Sequence, residues 1–257
     1  MKVIILAGGF GTRLSEYTNT IPKPMIQLGS RPLIWHIMKY FSHYDFKDFI
    51  VSAGVKSHIL KEYFLNYEAY TSDFIRDYAT DEIHYLNGSL DIDWRVAVVD
   101  TGLNTQKGAR IKRVEKMLTD DVNMVTYGDG LSDIDLQKLN EFHSGHGKTI
   151  TISGVHPPAR FGEITETQGV VQEFSEKPQT SSGLINGGFM VFNKDFLKRL
   201  SEDESCDLET DVLPRMAKEK EVMVYKHDGH WDCIDHERDL IHLNQLWSES
   251  RAFWKLW

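Results

Sequence analysis

Cysteine and long hydrophobic runs are both scarce in this sequence, and each shortage argues against a class of protein. Two cysteines occur among 257 residues, Cys206 and Cys233, and they form no CxxC pair. So few cysteines argue against a disulfide framework and a structural zinc site, and they favour a reducing compartment. The apolar part of the amino-terminal stretch MKVIILAGG is too short for a signal sequence or a membrane span. We therefore expect a cytoplasmic protein with no membrane partner.

Basic residues are outnumbered as well. The chain has 29 Lys and Arg against 38 Asp and Glu, which gives a formal net charge of −9. Nonspecific binding to nucleic acid or to anionic membranes needs a basic surface, so neither partner is expected. A local basic pocket for a small phosphate remains compatible with this balance. With 41% hydrophobic residues, the chain can bury a full core.

Several common catalytic motifs are missing. The eleven histidines contain no H-E-x-x-H, and no G-x-S-x-G occurs, so zinc-protease and serine-hydrolase chemistry have no support. His227, His230 and His236 lie close together in sequence, but without a cysteine or glutamate at metal-ligand spacing.

The sequence does contain an alternation of strand and helix patterns. Strands are predicted at 2–6, 48–53, 95–100, 122–127, 149–155, 169–174, 187–193 and 221–226. Helices are predicted at 31–43, 56–67, from about 108, and near 135–145, 194–202, 209–219 and 236–250. This order implies right-handed crossovers onto a mostly parallel sheet. Residues 68–94 lack the composition of a linker and are predicted to hold short strands.

A glycine-rich loop follows the first predicted strand, in the stretch LAGGFGTRLSEYTNTIPKPM (6–25). Gly8, Gly9 and Gly11 let the backbone approach an anion, at the sheet edge where α/β proteins bind ligands. Thr12 and Arg13 can add a hydroxyl and a guanidinium group to phosphate oxygens. The loop is neither G-x-x-x-x-G-K-[ST] nor G-x-G-x-x-G, so it is neither of the two commonest phosphate-binding loops.

Lys23 follows this loop, between two prolines. Pro22 and Pro24 restrict the backbone on both sides and are predicted to exclude a helix there. A lysine held in this way, close behind a glycine loop, is a candidate phosphate ligand rather than an ordinary solvated side chain.

Two aspartates are candidate ligands of a hard cation. Asp129 ends a predicted strand within TYGDG, and Asp235 precedes the last predicted helix within WDCIDHERD. Mg²⁺ prefers one or two carboxylates together with substrate phosphates. Spacing alone leaves alternatives open, because Gly-Asp-Gly is also an ordinary turn, Asp235 could be a helix cap, and Asp232 and Asp239 are possible partners too.

Two further motifs end or begin predicted strands in the second half. EFSEKP places Lys177 before a proline, where it could bind an acceptor phosphate. LINGGF places Asn186 and Gly187 at the start of a strand, where the amide could bond acceptor hydroxyls. Each motif taken singly is as compatible with a structural role.

The ordered set of motifs closely resembles the sugar-1-phosphate nucleotidyltransferases, and among them the bacterial glucose-1-phosphate cytidylyltransferases. The matching stretches are LAGGFGTRLSEYTNTIPKPM, PLIWHIMK, DFIVSAGVKSHILKEYF, VVDTGLNTQKGARIKRV, TYGDGLSDID, PPARFGEI, FSEKP, INGGFMVFN and WDCIDHERD. The resemblance covers nearly the whole chain. It implies a single α/β domain over 1–257 with a Rossmann-like, glycosyltransferase-A-like mixed and mostly parallel sheet flanked by helices. The nucleotide-binding half would be about 1–130, and the acceptor-binding half with the C-terminal helix about 131–257.

The resemblance also implies an activity. CTP and a phosphorylated acceptor, glucose 1-phosphate as the first expectation, would react with Mg²⁺ as cofactor to give a CDP-linked product and pyrophosphate in nucleotide-sugar and surface-polysaccharide biosynthesis. A cytoplasmic homo-oligomer is implied as well. The residues that would bind the nucleotide are Leu6, Ala7, Gly8, Gly9, Gly11, Thr12, Arg13, Lys23, Thr105, Arg110 and Gly128. Asp129 and Asp235 would hold the metal; Lys177, Asn186 and Gly187 would bind the acceptor; and Arg13, Lys23 and Lys177 would be catalytic.

One departure leaves the acceptor open. Where the glucose enzymes read Trp-Gln-Pro-Met-Asp-Thr, this chain reads WDCIDH (231–236), and Asp232 and His236 are predicted to lie on the acceptor side. They could address an amino or amide group, so another sugar phosphate, or a non-sugar phosphate such as a phosphorylated amino acid derivative, is an alternative acceptor. A regulatory subunit that binds nucleotide without turnover is a second alternative, which the retained Lys23 and Asp129 oppose.

Overall fold

A seven-stranded sheet forms the centre of the protein. The structure is a computed structural model and describes residues 1–86, 92–157, 163–168, 170–175 and 183–257. The strands of the described residues, in the main sheet and in small two-stranded sheets, are β1 (Val3–Ala7), β2 (Gln27–Leu28), β3 (Arg31–Pro32), β4 (Asp48–Ala53), β5 (Phe74–Asp77), β6 (Glu82–Tyr85), β7 (Arg95–Asp100), β8 (Val122–Tyr127), β9 (Gly130–Ser132), β10 (Ile150–Val155), β11 (Glu163–Thr167), β12 (Val170–Ser175), β13 (Ile185–Asn193), β14 (Val222–His227) and β15 (Trp231–Cys233).

Helices connect these strands. The α-helices are α1 (Ser15–Thr18), α2 (Leu33–His43), α3 (Ser57–Leu65), α4 (Tyr67–Thr71), α5 (Lys107–Arg113), α6 (Leu136–His146), α7 (Leu213–Lys218) and α8 (Glu237–Ser248). Short 3₁₀ helices span Thr12–Leu14, Lys23–Met25, Glu115–Met117 and Lys194–Arg199, and a π-helix spans Leu208–Val212. No helix within the described residues is long and apolar enough to cross a membrane.

The strand order in the main sheet is β14-β10-β13-β8-β1-β4-β7. The pairs β1–β4, β1–β8, β4–β7 and β10–β14 are parallel, whereas β13 runs antiparallel to both β8 and β10. The predicted α/β fold with a mixed, mostly parallel sheet is therefore confirmed.

Hydrophobic side chains cover both faces of the sheet. All five residues of β1 are buried, as expected for a central parallel strand. One cluster packs around α2, which buries eight of its eleven residues, and the carboxyl-terminal Trp254 is fully buried within it. The second cluster joins α5 to Phe192, Phe196 and Met216 on the opposite face. The two faces together explain why the central strands read as continuous apolar runs rather than as alternating patterns.

The structure differs from the sequence prediction at several connections. A 3₁₀ turn begins at Lys23, so the prediction that its prolines exclude a helix is wrong for this single turn. Proline is tolerated in a first turn because its missing N–H would have no partner there. Residues 209–219, predicted as one helix, are a π-turn followed by α7, and 194–199 form a 3₁₀ helix. The predicted short strands within 68–94 include the antiparallel pair β5–β6.

Candidate active site

A cleft of about 470 Å³ opens at the carboxyl ends of β1 and β8. This is the edge at which open α/β sheets bind ligands. The residues that line it are Leu6, Ala7, Gly8, Gly9, Phe10, Gly11, Arg13, Lys23, Pro24, Leu103, Asn104, Thr105, Gln106, Lys107, Arg110, Tyr127, Gly128, Asp129, Asn186, Trp231, Cys233 and Asp235. Most of the residues predicted from the sequence are thus brought together around one cleft.

The glycine loop forms one wall of this cleft. Gly11 has a φ of 64°, in the left-handed region that favours glycine, and it leads directly into the turn that carries Arg13. A side chain at Gly8 would place its Cβ 2.2 Å from the guanidinium carbon of Arg110. Glycine is needed at Gly8 for the close approach of Arg110 and at Gly11 for the turn. Thr12 belongs to the same turn but does not line the cleft.

Two carboxylates and two cations meet at the base of this wall. The Lys23 Nζ donates to Asp129 Oδ2 at 2.7 Å and to Asp235 Oδ1 at 2.8 Å. Arg13 Nη1 donates to the other oxygen of Asp235 at 2.7 Å. Asp129 and Asp235 are far apart in sequence, and the single ammonium group between them shows that their oxygens lie within two hydrogen-bond lengths of each other. Lys23 is mostly buried, whereas the Arg13 side chain is 66% exposed.

The opposite charges in this set of four side chains stabilise the ionised forms of Lys23 and Asp235. Burial by itself would lower the pKa of Lys23, but the charges of Asp129 and Asp235 and the hydrogen bonds to them outweigh it, and the pKa is raised. Burial would likewise raise the pKa of Asp235, but the contacts with Lys23 and Arg13 lower it overall. The ammonium and the carboxylate therefore remain charged at neutral pH.

Asp235 does not cap the last helix. The residue before α8 is His236, whose side chain accepts from the backbone of the first turn. The Asp239 carboxylate accepts from the backbone N–H groups of Asp235 and His236, at 3.0 and 2.7 Å. His236 thus has the capping role that the sequence left open for Asp235, Asp239 in the first turn of α8 completes a capping box with it, and the Asp235 carboxylate is available to the cleft.

The donor chemistry of the two aspartates suits a hard divalent cation. Asp129 and Asp235 converge on one point, and the Lys23 ammonium group lies at that point as a cation supplied by the protein itself. No group of three or more His, Cys, Asp or Glu side chains among the described residues is arranged to hold a metal. A cation bound by these two carboxylates would therefore complete its shell with phosphate oxygens and water.

Arg110 lies between the glycine loop and the loop that follows β7. Its guanidinium group is buried and donates to the carbonyl oxygens of Gly8, Ala53, Gly102 and Leu103 and to the hydroxyl of Thr101, at 2.7 to 3.3 Å. Burial lowers its pKa, although an arginine remains charged at any physiological pH. Arg110 therefore holds three segments of the cleft wall together.

Thr105 lies on the same wall and is also engaged. Its hydroxyl accepts from Arg113 Nη1 at 2.8 Å, and the same Arg113 nitrogen donates to the Thr101 carbonyl at 2.7 Å. Gly128 lies beside the end of β1, where its N–H donates to the Leu6 carbonyl at 3.0 Å. Both residues line the cleft, as their predicted contact with a nucleotide requires.

The residues predicted for the acceptor are placed less uniformly. Asn186 lines the cleft, and the carbonyl of Gly187 accepts from Trp231 Nε1 at 2.8 Å. Asp232 and His236 do not line it. Side chains alternate along the short strand β15, so Trp231 and Cys233 face the cleft and Asp232 lies on the other face. Lys177 lies outside the described residues, and the roles of these residues remain predictions.

The pKa of Asp232 is shifted in the opposite direction to that of Asp235. Burial, with a smaller contribution from Asp239, raises the pKa of Asp232 to about 7. Burial and the charges of Asp129 and Asp235 also raise the pKa of the Cys233 thiol, so this cleft cysteine stays protonated and is a poor nucleophile. Lys107, Tyr127 and Trp231 also line the cleft; they lie within stretches quoted from the sequence, but no spacing rule singled them out.

The chain is similar to known proteins over its whole length. Residues 2–250 match the family model described as nucleotidyl transferase. Two curated proteins named glucose-1-phosphate cytidylyltransferase, from Salmonella typhimurium and Salmonella typhi, are each 40% identical to it over 100% of both chains. A UDP-glucose pyrophosphorylase crystallised with UDP-glucose matches 97% of this chain and 99% of its own at a TM-score of 0.68 and 19% identity, which shows the fold alone.

Proposed function

The chain belongs to the nucleotidyl transferase family, and from that premise we propose that it transfers the cytidylyl group of CTP to glucose 1-phosphate and releases pyrophosphate. Full-length identity of 40% to proteins of that name supports the choice of both substrates. The observation that carries the chemistry is the meeting of Lys23, Asp129, Asp235 and Arg13 beside the glycine loop.

The proposed reaction is a direct in-line displacement. An oxygen of the acceptor phosphate attacks the α-phosphorus of CTP and forms a new P–O bond. The bond from the α-phosphorus to the bridging oxygen breaks, and its electron pair leaves with pyrophosphate. A phosphate monoester with a second pKa of about 6 is already ionised at neutral pH, so no general base is needed. The protein has to position two polyanions and neutralise the charge that develops on the leaving group.

Each residue of the glycine-loop wall has a place in this step. Backbone amides of Gly8 to Gly11 and the guanidinium of Arg13 would bind the β- and γ-phosphates, and Lys23 would contact the α-phosphate. Asp129 and Asp235 would hold Mg²⁺, which when bound supplies charge neutralisation to the triphosphate. On the acceptor side, Lys177 would bind the attacking phosphate, while Asn186 and Gly187 would line the sugar pocket.

Cellular context and assembly extend the proposal. Both cysteines are free thiols, which suits the reducing cytoplasm. A homo-oligomer would cover apolar side chains that the hairpin β5–β6 exposes, including Phe74 at 47%, Ile75 at 57% and Ile83 at 44%. A lone two-stranded hairpin is marginal in water, so a partner surface would also stabilise it.

A pyrophosphate-release assay tests the proposal. The protein is incubated with Mg²⁺, each of the four nucleoside triphosphates and a panel of acceptors that includes glucose 1-phosphate, other sugar phosphates and phosphorylated amino acid derivatives. The expected result is release with CTP and glucose 1-phosphate above all other pairs. Release with CTP and a different acceptor would keep the chemistry and reassign the acceptor. Tight CTP binding with no release from any acceptor would instead indicate a regulatory subunit.

A further inference from the structure

The cleft carries a second group of polar side chains, of which the proposed reaction so far uses only Asn186. It consists of Lys107, Tyr127, Asn186 and Glu209, and we call it the tyrosine cluster. Lys107, Tyr127 and Asn186 line the cleft, and Glu209 lies behind them. The cluster joins α5, the end of β8, the start of β13 and the π-helix, which come together only in the folded chain.

Glu209 connects the members of this cluster. Its Oε1 accepts a hydrogen bond from the Tyr127 hydroxyl and also contacts Lys107 Nζ, at 2.7 Å. Lys107 Nζ in addition lies 5.3 Å from the centre of the Tyr127 ring. The other carboxylate oxygen, Oε2, is buried and has no hydrogen-bond partner among the described residues. An orphaned buried acceptor is costly and uncommon, and it is retained where a site requires it.

The backbone around the cluster is shaped to hold it. The Val212 N–H bonds to the Asp207 carbonyl at 3.1 Å, which closes the wide turn of the π-helix. Asp207 Oδ1 also accepts from the N–H of Glu209 at 3.1 Å, so the position of Glu209 is set from both sides. Such π-turns are rare and frequently occur at functional sites. Gly188 has a φ of 86°, and a Cβ there would lie 2.4 Å from the Tyr127 ring.

The remaining hydrogen-bonding capacity of the cluster suits a hydroxyl group. The Tyr127 hydroxyl donates to Glu209 and accepts from Asn186 Nδ2 at 3.0 Å, which leaves one lone pair. Asn186 Oδ1 accepts from the Gly188 N–H at 3.0 Å, which leaves one lone pair on the oxygen and one N–H on the nitrogen. A hydroxyl both donates and accepts, so it can use a free N–H and a free lone pair together.

We infer that Glu209 is a positioning residue for acceptor recognition, which holds Tyr127 and Lys107 so that the cluster binds a hydroxyl of the acceptor sugar. This inference rests on the proposed function and adds to it the part of the cleft that distinguishes a polyhydroxylated acceptor from other phosphates. Glu209 acts through Tyr127, Lys107 and Asn186 and does not itself touch the reacting atoms.

The test compares Glu209→Gln and Tyr127→Phe with wild type in steady-state kinetics with CTP and glucose 1-phosphate. We expect each variant to raise the KM for glucose 1-phosphate about tenfold, the value of roughly one hydrogen bond, with kcat and the KM for CTP within about twofold of wild type. The matched control is Glu115→Gln, which removes a 2.8 Å ion pair with Lys112, neither residue lining the cleft, and should leave both KM values unchanged.

A series of glucose 1-phosphates, each with one ring hydroxyl replaced by hydrogen, gives a readout that general damage to the fold would not produce. Wild type should discriminate against one member of the series by about tenfold, and Tyr127→Phe should lose that discrimination while keeping the others. Equal changes in the KM for CTP and for the acceptor, or wild-type discrimination in both variants, would overturn the inference.

Calorimetric titration of glucose 1-phosphate separates this inference from the proposed function, because it needs no turnover. Failure of wild type to release pyrophosphate would refute the proposed function. Acceptor binding by wild type with the same affinity in Glu209→Gln and Tyr127→Phe would refute the inference about Glu209 alone. No binding of glucose 1-phosphate by wild type would refute both.

Discussion

Two cations of the cleft, Lys23 and Arg110, are held in opposite ways. On the glycine-loop wall, the partners of Lys23 are two carboxylates. Arg110 instead donates to four backbone carbonyls and one hydroxyl, and no carboxylate of the described residues forms an ion pair with it. Arg110 is also the more buried of the two, since it is 3% exposed whereas the Lys23 side chain is 14% exposed.

Lys23 and Arg110 differ in whether a ligand can take over their hydrogen-bond partners. A bound cation can take over Asp129 and Asp235, which would release the Lys23 ammonium to phosphate oxygens. The carbonyl partners of Arg110 belong to three segments of the chain, so releasing that guanidinium would disrupt the cleft itself. Lys23 is therefore suited to change partners during a reaction, while Arg110 is suited to keep the cleft in one shape. Direct contact of Arg110 with the nucleotide remains a prediction.

Replacing Arg110 should have the largest effect on the fold. We expect Arg110→Ala to lower the free energy of unfolding by about 3–5 kcal/mol, because it leaves a cavity and several buried carbonyls without donors. Urea denaturation of both proteins measures this. Arg95→Ala is the control, since that side chain is 82% exposed with an ion pair of 3.5 Å to Asp48, and should change stability by no more than about 0.5 kcal/mol. A CTP affinity reduced more than tenfold with stability unchanged would assign Arg110 to the nucleotide instead.

Replacing Lys23 should act on the reaction and leave the fold largely intact. We expect Lys23→Ala to slow pyrophosphate release about 10²- to 10³-fold, the usual cost of losing one donor to the transition state. The same variant should bind Mn²⁺ more tightly than wild type when CTP is absent, because no ammonium group then competes for the two carboxylates. Calorimetry measures the binding directly.

Lys198→Ala is the matched control for Lys23. It removes an exposed pair with Asp195 at 2.6 Å and should change neither the rate nor the binding of Mn²⁺. Weaker binding of Mn²⁺ by Lys23→Ala would contradict the idea that Lys23 occupies the place of the cation.

A smaller effect is expected from Asp232, which lacks the cation partners that Asp235 has three residues later. Its pKa rises on folding from an ordinary value of 3.8 to about 7, so the folded state binds more protons than the unfolded state between these values. Stability from this group is complete below the lower value and is lost as the pH rises towards the higher one. Asp232→Asn should therefore unfold with a free energy roughly 1–3 kcal/mol above wild type at about pH 8.

Measuring the free energy of unfolding across a range of pH requires a control for Asp232→Asn. Asp121→Asn changes a side chain that is 98% exposed and should alter stability by no more than about 0.5 kcal/mol at any pH. A difference between Asp232→Asn and wild type that stayed constant from about pH 4 to 8 would show that Asp232 does not titrate in this range.

Much of the fold followed from local patterns. The predicted strands at 48–53, 95–100 and 122–127 have the same bounds in the structure, because strands of a parallel sheet read as short, mostly apolar runs of characteristic length. The bend at 208–212 was not predicted as a π-turn, since its i to i+5 hydrogen bond depends on how Asp207 and Val212 pack.

The features of the candidate site divide in the same way, into those that local sequence indicates and those that depend on the tertiary structure. The amino-acid sequence by itself determined the α/β class and the glycine loop at the end of the first strand, and its resemblance to a known family implied the candidate phosphate and metal ligands. Only the tertiary structure decided that Asp129 and Asp235 share one ammonium group and that His236 with Asp239, not Asp235, caps the last helix. It also decided that Glu209 stands behind Tyr127. Strand and loop patterns come from neighbours in sequence, whereas these contacts join segments that are distant along the chain, so no local pattern specifies them.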